Sequence, residues 1–428
     1  MASTYLTRSI SSTGNTKIAT LSCWVKKLNS DSVNDYAYFS TGSANTNDFI
    51  LYFDGHLFSV LSRYNSSNVI EIRTNRLFRD VSAWYHIVVA VDTTQATASD
   101  RVKIYVNGEQ ETSLSTATYP SQDQVLRINE SGYTNYVGNL RGSGNYFNGL
   151  MAHFHLIDGT AYDASAFGQA DANGVWKIKT SPSVTYGTNG FFILKDGNSV
   201  TDQSGNGNNF TVAGGTLTNT EDNPSNVFCT WNAVAAPYSA PTLSEGNTKV
   251  TNNGAAWQAA IGTIGVSSGK WYWEGRFDTS GSNNANHGVI DESVNFSGND
   301  PMNRIGYTGW FNADGGEMKK DATDTTADYG VFNTNDIIGI ALNMDDKQIS
   351  IYKNGTLHVS NFALSTTSNL VFPCTVSYSG GISSYNFGNG YFGTTAVSSA
   401  GTNASGIGIF EYDVPTGYTA LSTKGLNL

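Results

Sequence analysis

Paired carboxylates are the residues that would give this chain a hydrolytic activity, because glycoside hydrolysis needs two of them roughly 5–10 Å apart. A pattern such as Glu-x-Asp-x-Glu would place them on one face of a strand. Glu411-Tyr412-Asp413 is the only Glu-x-Asp, and no further carboxylate follows on that strand. Asp291-Glu292 and Asp345-Asp346 are adjacent pairs, so they would point to opposite faces. The sequence therefore predicts that the protein is not an enzyme.

Two patterns could bind a metal ion. His153 and His155 would share one face of a strand at the spacing of a ligand pair, but no Cys or carboxylate cluster accompanies them, which favours a structural role. The loop 202–209, Asp-Gln-Ser-Gly-Asn-Gly-Asn-Asn, supplies many oxygen atoms. Calcium loops usually carry more carboxylates, and Asx-turns explain the same composition without a metal. We expect no cofactor and no metal site, with calcium as the open alternative.

The stretch with the strongest binding character is 131–146, which combines tyrosines, an arginine and several amides on a glycine-rich backbone. Tyr rings can stack on the apolar faces of sugars while Asn and Arg bond hydroxyl groups, much as antibody loops combine these residue types. The alternative is a hairpin whose alternate residues, such as Val137, pack inward. The candidate ligand-binding residues are Tyr133, Asn135, Tyr136, Arg141 and Tyr146.

The composition predicts an all-β protein. Charged residues are only 14% of the chain, against about 25% in an average protein. Aromatic residues, which favour strands, reach 12%, and the 45 glycines favour tight turns. A net charge of -11 argues against nucleic acid as a partner, and no apolar run of membrane-spanning length or secretory signal is present. Cys23, Cys229 and Cys374 are odd in number and widely separated, which argues against disulfides.

Strand-length apolar segments occur in both halves of the chain, and one pattern repeats. Ile87 to Asp92, a loop and Lys103 to Gly108 correspond to Ile338 to Asn343, a shorter loop and Ser350 to Gly355. Each pair is a buried strand, a polar loop and a second strand that ends in Asn-Gly, the signature of a tight hairpin. The repeat predicts two sandwiches of one type. The predicted segments are a sandwich at 1–165, a packed connector at 166–230, a second sandwich at 231–395 and a C-terminal docking segment at 396–428.

The second half resembles a SPRY domain. The residues that carry this resemblance run in the expected order and are Gly269 to Glu274, Arg304-Ile305-Gly306, Asp328-Tyr329-Gly330, Asp336 to Gly339, Ile349 to Gly355, Phe372-Pro373 and Tyr385 to Gly388. The resemblance implies a two-sheet sandwich that binds partners through its loops, with no catalytic residue to transfer.

The first half resembles a laminin-G or concanavalin-like lectin domain. The carriers are Leu21 to Lys26, Trp84 to Val89, Ile104 to Gly108 and Asn148 to Ala152. The whole order is similar to structural proteins of tailed phages, in which a laminin-G-like domain precedes a connector and a SPRY domain. The matching connector residues are Ile157-Asp158-Gly159, Phe167-Gly168 and Gly174-Val175-Trp176. This resemblance implies a virion protein.

Together these features predict a phage virion structural or adhesion protein, of capsid or tail fibre type, built from two concanavalin-like antiparallel β-sandwiches. We expect it on the virion surface, with other virion proteins as partners and a bacterial surface carbohydrate as its ligand. We also expect a homo-oligomer, with a trimer favoured. The alternatives are a capsid-decorating or adaptor protein without a ligand and a glycan-degrading hydrolase.

Overall fold

The computed structural model describes residues 4–28, 35–43, 45–195, 199–235, 239–279, 285–294, 304–312, 316–324, 327–365, 367 and 369–427. It confirms an all-β fold, because in these ranges helix is confined to three-residue 3-10 turns at Ala98–Asp100, Ala164–Ala166 and Gly425–Asn427. None of the helices in these ranges is long and apolar enough to cross a membrane. The chain divides into two compact units, Met1–Asn219 and Thr220–Leu428.

The first unit contains sixteen strands within its described ranges. In chain order they are β1 (Tyr5–Ser9), β2 (Ile18–Lys27), β3 (Asp35–Ser43), β4 (Asn47–Asp54), β5 (Leu57–Tyr64), β6 (Ser67–Leu77), β7 (Tyr85–Asp92), β8 (Val102–Val106), β9 (Glu109–Gln110), β10 (Leu114–Thr118), β11 (Thr134–Val137), β12 (Gly149–Asp158), β13 (Gly168–Ala170), β14 (Trp176–Ile178), β15 (Phe191–Ile193) and β16 (Thr211–Ala213). One sheet has the order β10-β6-β5-β4-β3-β11-β1-β16, and the other has the order β15-β12-β2-β7-β8-β9. The two sheets enclose one apolar core.

The second unit repeats this plan in its described ranges. Its strands are β17 (Thr242–Ser244), β18 (Lys249–Thr251), β19 (Gln258–Ile261), β20 (Lys270–Thr279), β21 (Ala285–Asp291), β22 (Tyr307–Phe311), β23 (Glu317–Lys320), β24 (Thr323–Asp324), β25 (Ile337–Asn343), β26 (Gln348–Lys353), β27 (Thr356–Ala363), β28 (Val371–Ser377), β29 (Ile382–Asn386), β30 (Tyr391–Phe392), β31 (Thr395–Ala396) and β32 (Thr419–Ala420). One sheet runs β17-β18-β29-β20-β25-β26-β27, with β32 parallel to β20, and the other runs β19-β28-β21-β22-β23-β24.

Side chains that alternate along the strands form the two cores, as the strand period requires. The strand pattern of the sequence predicts a core that includes Trp24, Trp84, Val89, Ile104, Trp271, Trp273, Ile340 and Ile351, and all eight residues are buried. The four-segment division of the chain stays a prediction. By compactness, residues 166–219 of the predicted connector belong to the first unit and residues 220–230 to the second.

The repeated Asn-Gly hairpins have the same geometry in both units. Asn107 and Asn354 both have φ 49°, a left-handed conformation that Asn tolerates, and a glycine with positive φ follows each. The Asn107 Oδ1 accepts a 2.8 Å hydrogen bond from the N–H of His86, and the Asn354 Oδ1 accepts the equivalent 2.8 Å bond from Ile337. The repeat in the sequence therefore corresponds to one hairpin built twice.

Each unit also covers the outer face of its hairpin sheet with a segment from a later part of the unit. In the first unit, residues 162–186, which we call the first cover, pack Phe167 against Val88 and Ile157. In the second unit, residues 407–421, the second cover, pack Phe410 against Tyr272. The ring of Trp176 lies on the hairpin glycine Gly108, so closely that an added Cβ would approach it to 2.5 Å.

We predict that Gly108→Ala destabilises the first unit much more than Gly132→Ala. Both glycines have φ near +87° (89° and 86°), so both variants carry backbone strain of about 1–2 kcal/mol, but only Gly108 would meet Trp176, while nothing lies within 4 Å of Gly132. Displacing the indole should add about 1–3 kcal/mol. Urea unfolding of both variants measures the difference, and equal losses would show that the first cover does not pack on the hairpin.

Candidate ligand-binding groove

An open groove of about 850 Å³ lies on the first unit, at the edge of the sheet where β1, β11 and β16 run side by side. Its walls come from these strands, from the loop after β11 and from the loop before β16. The side chains that give it chemical character are Tyr5, Thr7, Arg8, Tyr136, Arg141 and Asn208. The groove thus offers aromatic, hydroxyl, amide and guanidinium groups together.

Strand alternation places the tyrosines on the groove side. Leu6 and Val137 are paired across β1 and β11 and are buried in the core, so Tyr5, Thr7 and Tyr136 project from the opposite face. The Tyr5 ring centroid lies 6.4 Å from that of Tyr136 and 6.0 Å from that of Tyr146. Three rings from two distant parts of the chain therefore form one aromatic cluster.

A buried carboxylate anchors the loop after β11. Asp48 is fully buried and accepts hydrogen bonds from Arg63 at 2.5 Å and from Arg141 at 2.6 Å. The second Nη of Arg141 donates to Asn45 at 2.7 Å, and its backbone N–H donates to the Ser40 hydroxyl at 2.9 Å. Charge-assisted bonds of this kind are stronger than neutral ones, so the loop is held rigidly over the sheet.

Arg8 pairs with buried Asn135 across β1 and β11, so its side chain leaves β1 on the Leu6 side of the sheet and not on the side of Tyr5 and Thr7. Its Nη2 donates to the Oδ1 of Asn208 and, at 3.4 Å, to that of Asn189. Its Nη1 is buried and has no hydrogen-bond partner within the described ranges. Burial lowers the pKa of the guanidinium, while the charges of Asp202 and Asp158 act in the opposite direction.

The five sequence-predicted site residues have different positions. Tyr136 and Arg141 line the groove, and Tyr146 contacts the Tyr5 ring beside it. Tyr133 lies elsewhere, where the Arg127 guanidinium is 5.7 Å from its ring centroid and 4.2 Å from that of Tyr64. Asn135 is buried, because it falls on the Val137 side of β11.

Sequence reasoning missed Tyr5, Thr7, Arg8 and the 207–209 loop. In β1, Tyr5, Thr7 and Ser9 share one face, which was a local signal for a polar surface, whereas Arg8 falls on the Leu6 side. Nothing local indicated that β1 pairs with β11 on one side and with β16 on the other, more than 200 residues away. Only these long-range pairings bring the missed residues to the candidate loop.

A buried Ser-His pair in the same unit does not have the geometry of a nucleophile and its base. The Ser22 Oγ lies 2.9 Å from the Nε2 of His86, but the Trp176 indole N–H donates to Nδ1 at 3.0 Å. Because Nδ1 accepts this hydrogen bond, it carries no hydrogen in the neutral ring, so Nε2 carries the ring hydrogen and donates to the serine. Burial, followed by the nearby His153, lowers the pKa of His86 to about 3, so the ring stays neutral.

In the second unit, Glu274 has the raised pKa that general acids often show, yet its role is structural. Burial raises its pKa to about 7. Its two oxygens accept 2.9 Å hydrogen bonds from the backbone N–H groups of Glu411 and Tyr412, and the Tyr272 hydroxyl lies 3.2 Å away. Its side chain is inaccessible and holds the second cover in place.

In both candidate metal patterns the side chains contact other groups of the protein. His155 stacks on Phe192, with 3.9 Å between ring centroids, and its Nδ1 bonds the Tyr186 hydroxyl at 2.9 Å. In the 202–209 loop, Asp202 accepts hydrogen bonds from the Phe192 N–H at 2.8 Å and the Ser204 hydroxyl at 2.7 Å. Within the described ranges no group of three or more His, Cys, Asp or Glu residues could hold a metal ion.

Comparison with known families supports both halves of the fold. Residues 2–165 match the Laminin_G_3 model, described as the concanavalin A-like lectin/glucanases superfamily, and residues 270–390 match the SPRY domain. The chain carries a concanavalin A-like domain and a SPRY domain. Domains of these types suggest binding of carbohydrate or protein.

Solved structures with a similar SPRY region include the SPRY domain of human HERC1, at 22% identity and a TM-score of 0.27, covering 32% of this chain and 87% of that one. The TRIM65 PSpry domain is similar at 13% identity and a TM-score of 0.30, covering 37% of this chain and 88% of that one. No curated protein matches the chain.

We predict that acid destabilises the first unit through its buried histidines. Burial lowers the pKa of His86 to about 3 and also lowers that of His155, whereas in the unfolded chain both would be near 6.5. Below that value the unfolded state binds more protons than the folded state. Stability is therefore full above about pH 6.5 and falls as the pH drops, by about 1.4 kcal/mol per pH unit for each histidine.

Hydrogen exchange of β7 and β12 peptides between pH 7 and pH 5, corrected for intrinsic exchange rates, measures this effect in the first unit alone. Protection that is constant over this range would contradict it.

Proposed function

We propose that the protein is a non-catalytic adhesion protein of a tailed-phage virion, displayed on the particle surface, and that it binds a bacterial surface glycan in the groove of the first unit. The observation that supports this most directly is the cluster of Tyr5, Tyr136 and Tyr146 rings next to hydroxyl and guanidinium groups. Sugar recognition needs apolar faces for the ring carbons and hydrogen-bonding groups for the hydroxyls.

The groove lacks what a hydrolase would require. Among the described residues that line it there is no Asp or Glu, whereas glycoside hydrolysis uses a pair of carboxylates on either side of the scissile bond. Glu274, whose pKa is raised, is buried in the other unit. The lack of a carboxylate pair among the described lining residues favours binding of a glycan over its cleavage.

Support for the virion comes from the order of segments and from composition. A laminin-G-like domain, a connector with Gly174-Val175-Trp176 and a SPRY domain follow each other as in phage structural proteins. Only 14% of the residues are charged, so the surface relies on hydroxyls and amides. Other virion proteins would be its partners in this role.

We predict that Tyr136→Ala lowers glycan affinity about tenfold, equivalent to about 1.4 kcal/mol, because it removes a stacking ring. Tyr133→Ala is the matched control, since Tyr133 stacks on Arg127 outside the groove lining, and it should bind like the wild type. A glycan array of host polysaccharides followed by calorimetry measures both.

An array without any binding would favour a capsid-decorating or adaptor protein that has no ligand. Oligosaccharide release in a reducing-end assay, abolished by changing one carboxylate, would instead establish a hydrolase.

Self-assembly is part of the proposal, with a trimer favoured by the likeness to phage fibres. Several copies on one particle would raise avidity by about 10²–10⁴ without new contacts, which suits weak single sites. Light scattering should give about three times the 45.9 kDa monomer mass. A monomer mass at all micromolar concentrations would contradict self-assembly and leave attachment to other virion proteins as the source of valency.

A further inference from the structure

We propose that the groove binds the end of a neutral glycan chain, and that the chain lies across the strands, with its terminal sugar on Tyr136 and the following sugars towards Thr211. This inference rests on the proposed glycan-binding function and specifies the class of ligand and the part of it that is recognised. It is carried by the register of four neighbouring strands, by the loop after β11 and by the charges of the groove lining.

One row of side chains crosses the groove. Tyr136 of β11 pairs with Ser40 of β3 on one side and with Thr7 of β1 on the other. Thr7 in turn pairs with Thr211 of β16. Paired residues of neighbouring strands project from the same face, so all four side chains lie on the side opposite the buried Leu6. Strands are about 4.8 Å apart, so the row from Tyr136 to Thr211 extends about 10 Å, which suits a short oligosaccharide.

The loop after β11 closes one end of this row. It lies on the outer face of β3, where the Ser40 hydroxyl donates to the Asn139 carbonyl oxygen at 2.8 Å and accepts from the Arg141 N–H at 2.9 Å. Ser40 is fully buried beneath it. A Cβ on Gly142 would lie 3.3 Å from the Tyr136 ring, so the loop abuts this ring. A glycan chain that lies on Tyr136 therefore cannot continue towards β3.

The other end of the row is open. β16 is the last strand of its sheet within the described ranges, and its residues Thr211 and Val212 are exposed. Within the same ranges no protein group forms a hydrogen bond with the hydroxyl of Thr7 or of Thr211. Each hydroxyl can donate and accept, as the hydroxyls of a sugar can. A closed aromatic end and an open hydroxyl end fit the end of a chain and not its interior.

The row presents no charged group to a ligand. The charged side chains among the described lining residues are Arg8 and Arg141. The two Nη atoms of Arg141 donate to Asp48 and Asn45, and its side chain is only 9% exposed. Arg8 leaves β1 on the Leu6 side, away from the row. Since the net charge of -11 also disfavours the approach of a polyanion, the ligand is expected to be neutral.

Competition on the glycan array tests the recognition of a chain end. The neutral host polysaccharide that the array retains is added as a soluble competitor at equal mass, either intact or after partial acid hydrolysis to short fragments. Hydrolysis creates chain ends, so the fragments should compete more strongly, in proportion to the number of ends. A polysaccharide of hexuronic acids, treated in the same way, should compete more weakly than the neutral one.

Equal competition by the intact and the hydrolysed polysaccharide, or stronger competition by the acidic one, overturns the inference but leaves glycan binding intact. No binding of any polysaccharide overturns the proposed function itself.

The direction of the chain is tested by removing one hydroxyl. Thr211→Val should lower the affinity for the fragments about three- to tenfold, the size of one hydrogen bond between neutral groups. Thr118→Val is the matched control, because Thr118 is exposed on β10, the opposite edge strand of the same sheet, and lies outside the groove lining. It should bind like the wild type. Calorimetry measures both variants.

Unchanged affinity of Thr211→Val would show that the chain does not lie across the strands. A loss of affinity in Ser11→Ala instead, at an exposed lining position beyond the end of β1, would show that the chain follows β1. Either result overturns the inference.

Discussion

The structure depends on the burial of both faces of the hairpin sheet in each unit. The central strands β7 and β25 are buried along almost their whole length, which alternation against a single core cannot achieve. One face packs into the sandwich core, and the other requires a further apolar layer. The first cover and the second cover provide this layer, so each unit is complete only with its cover.

The covers also determine which surfaces remain available. In the first unit the cover occupies the sheet that contains β7, and the outer side of the other sheet keeps an open edge at β16-β1-β11. The groove lies at that edge. Its tyrosines alternate with core residues, so the strands that build the core also orient the candidate binding surface.

Several groups that resemble catalytic residues owe their properties to burial. The ring of His86 is neutral because it is desolvated and accepts the Trp176 indole N–H. The pKa of Glu274 is raised by burial although two backbone N–H groups stabilise its charged form. A perturbed pKa does not by itself identify a functional group. Here His86 and Glu274 each form hydrogen bonds to the cover that packs on their sheet.

The sequence by itself determined the class of fold, the hairpin repeat and the core. Three local signals are the two-residue period of the strands, the Asn-Gly turns and the positions of Trp residues such as Trp273. Once a strand has one apolar face, these signals predict which of its side chains are buried. The sequence also indicated the 131–146 loop, because its residue types suit binding.

Only the tertiary structure decided which side chains of this loop face outward. Asn135 falls on the core side of β11 and is buried. Tyr133 lies near the Arg127 guanidinium, outside the groove lining. The pairing of β1 with β11 brought Tyr5 and Thr7 to Tyr136, and the pairing with β16 added the loop before that strand. Such pairings join residues more than a hundred positions apart, and no local pattern encodes them, because a strand edge can pair with any partner whose register buries the same face.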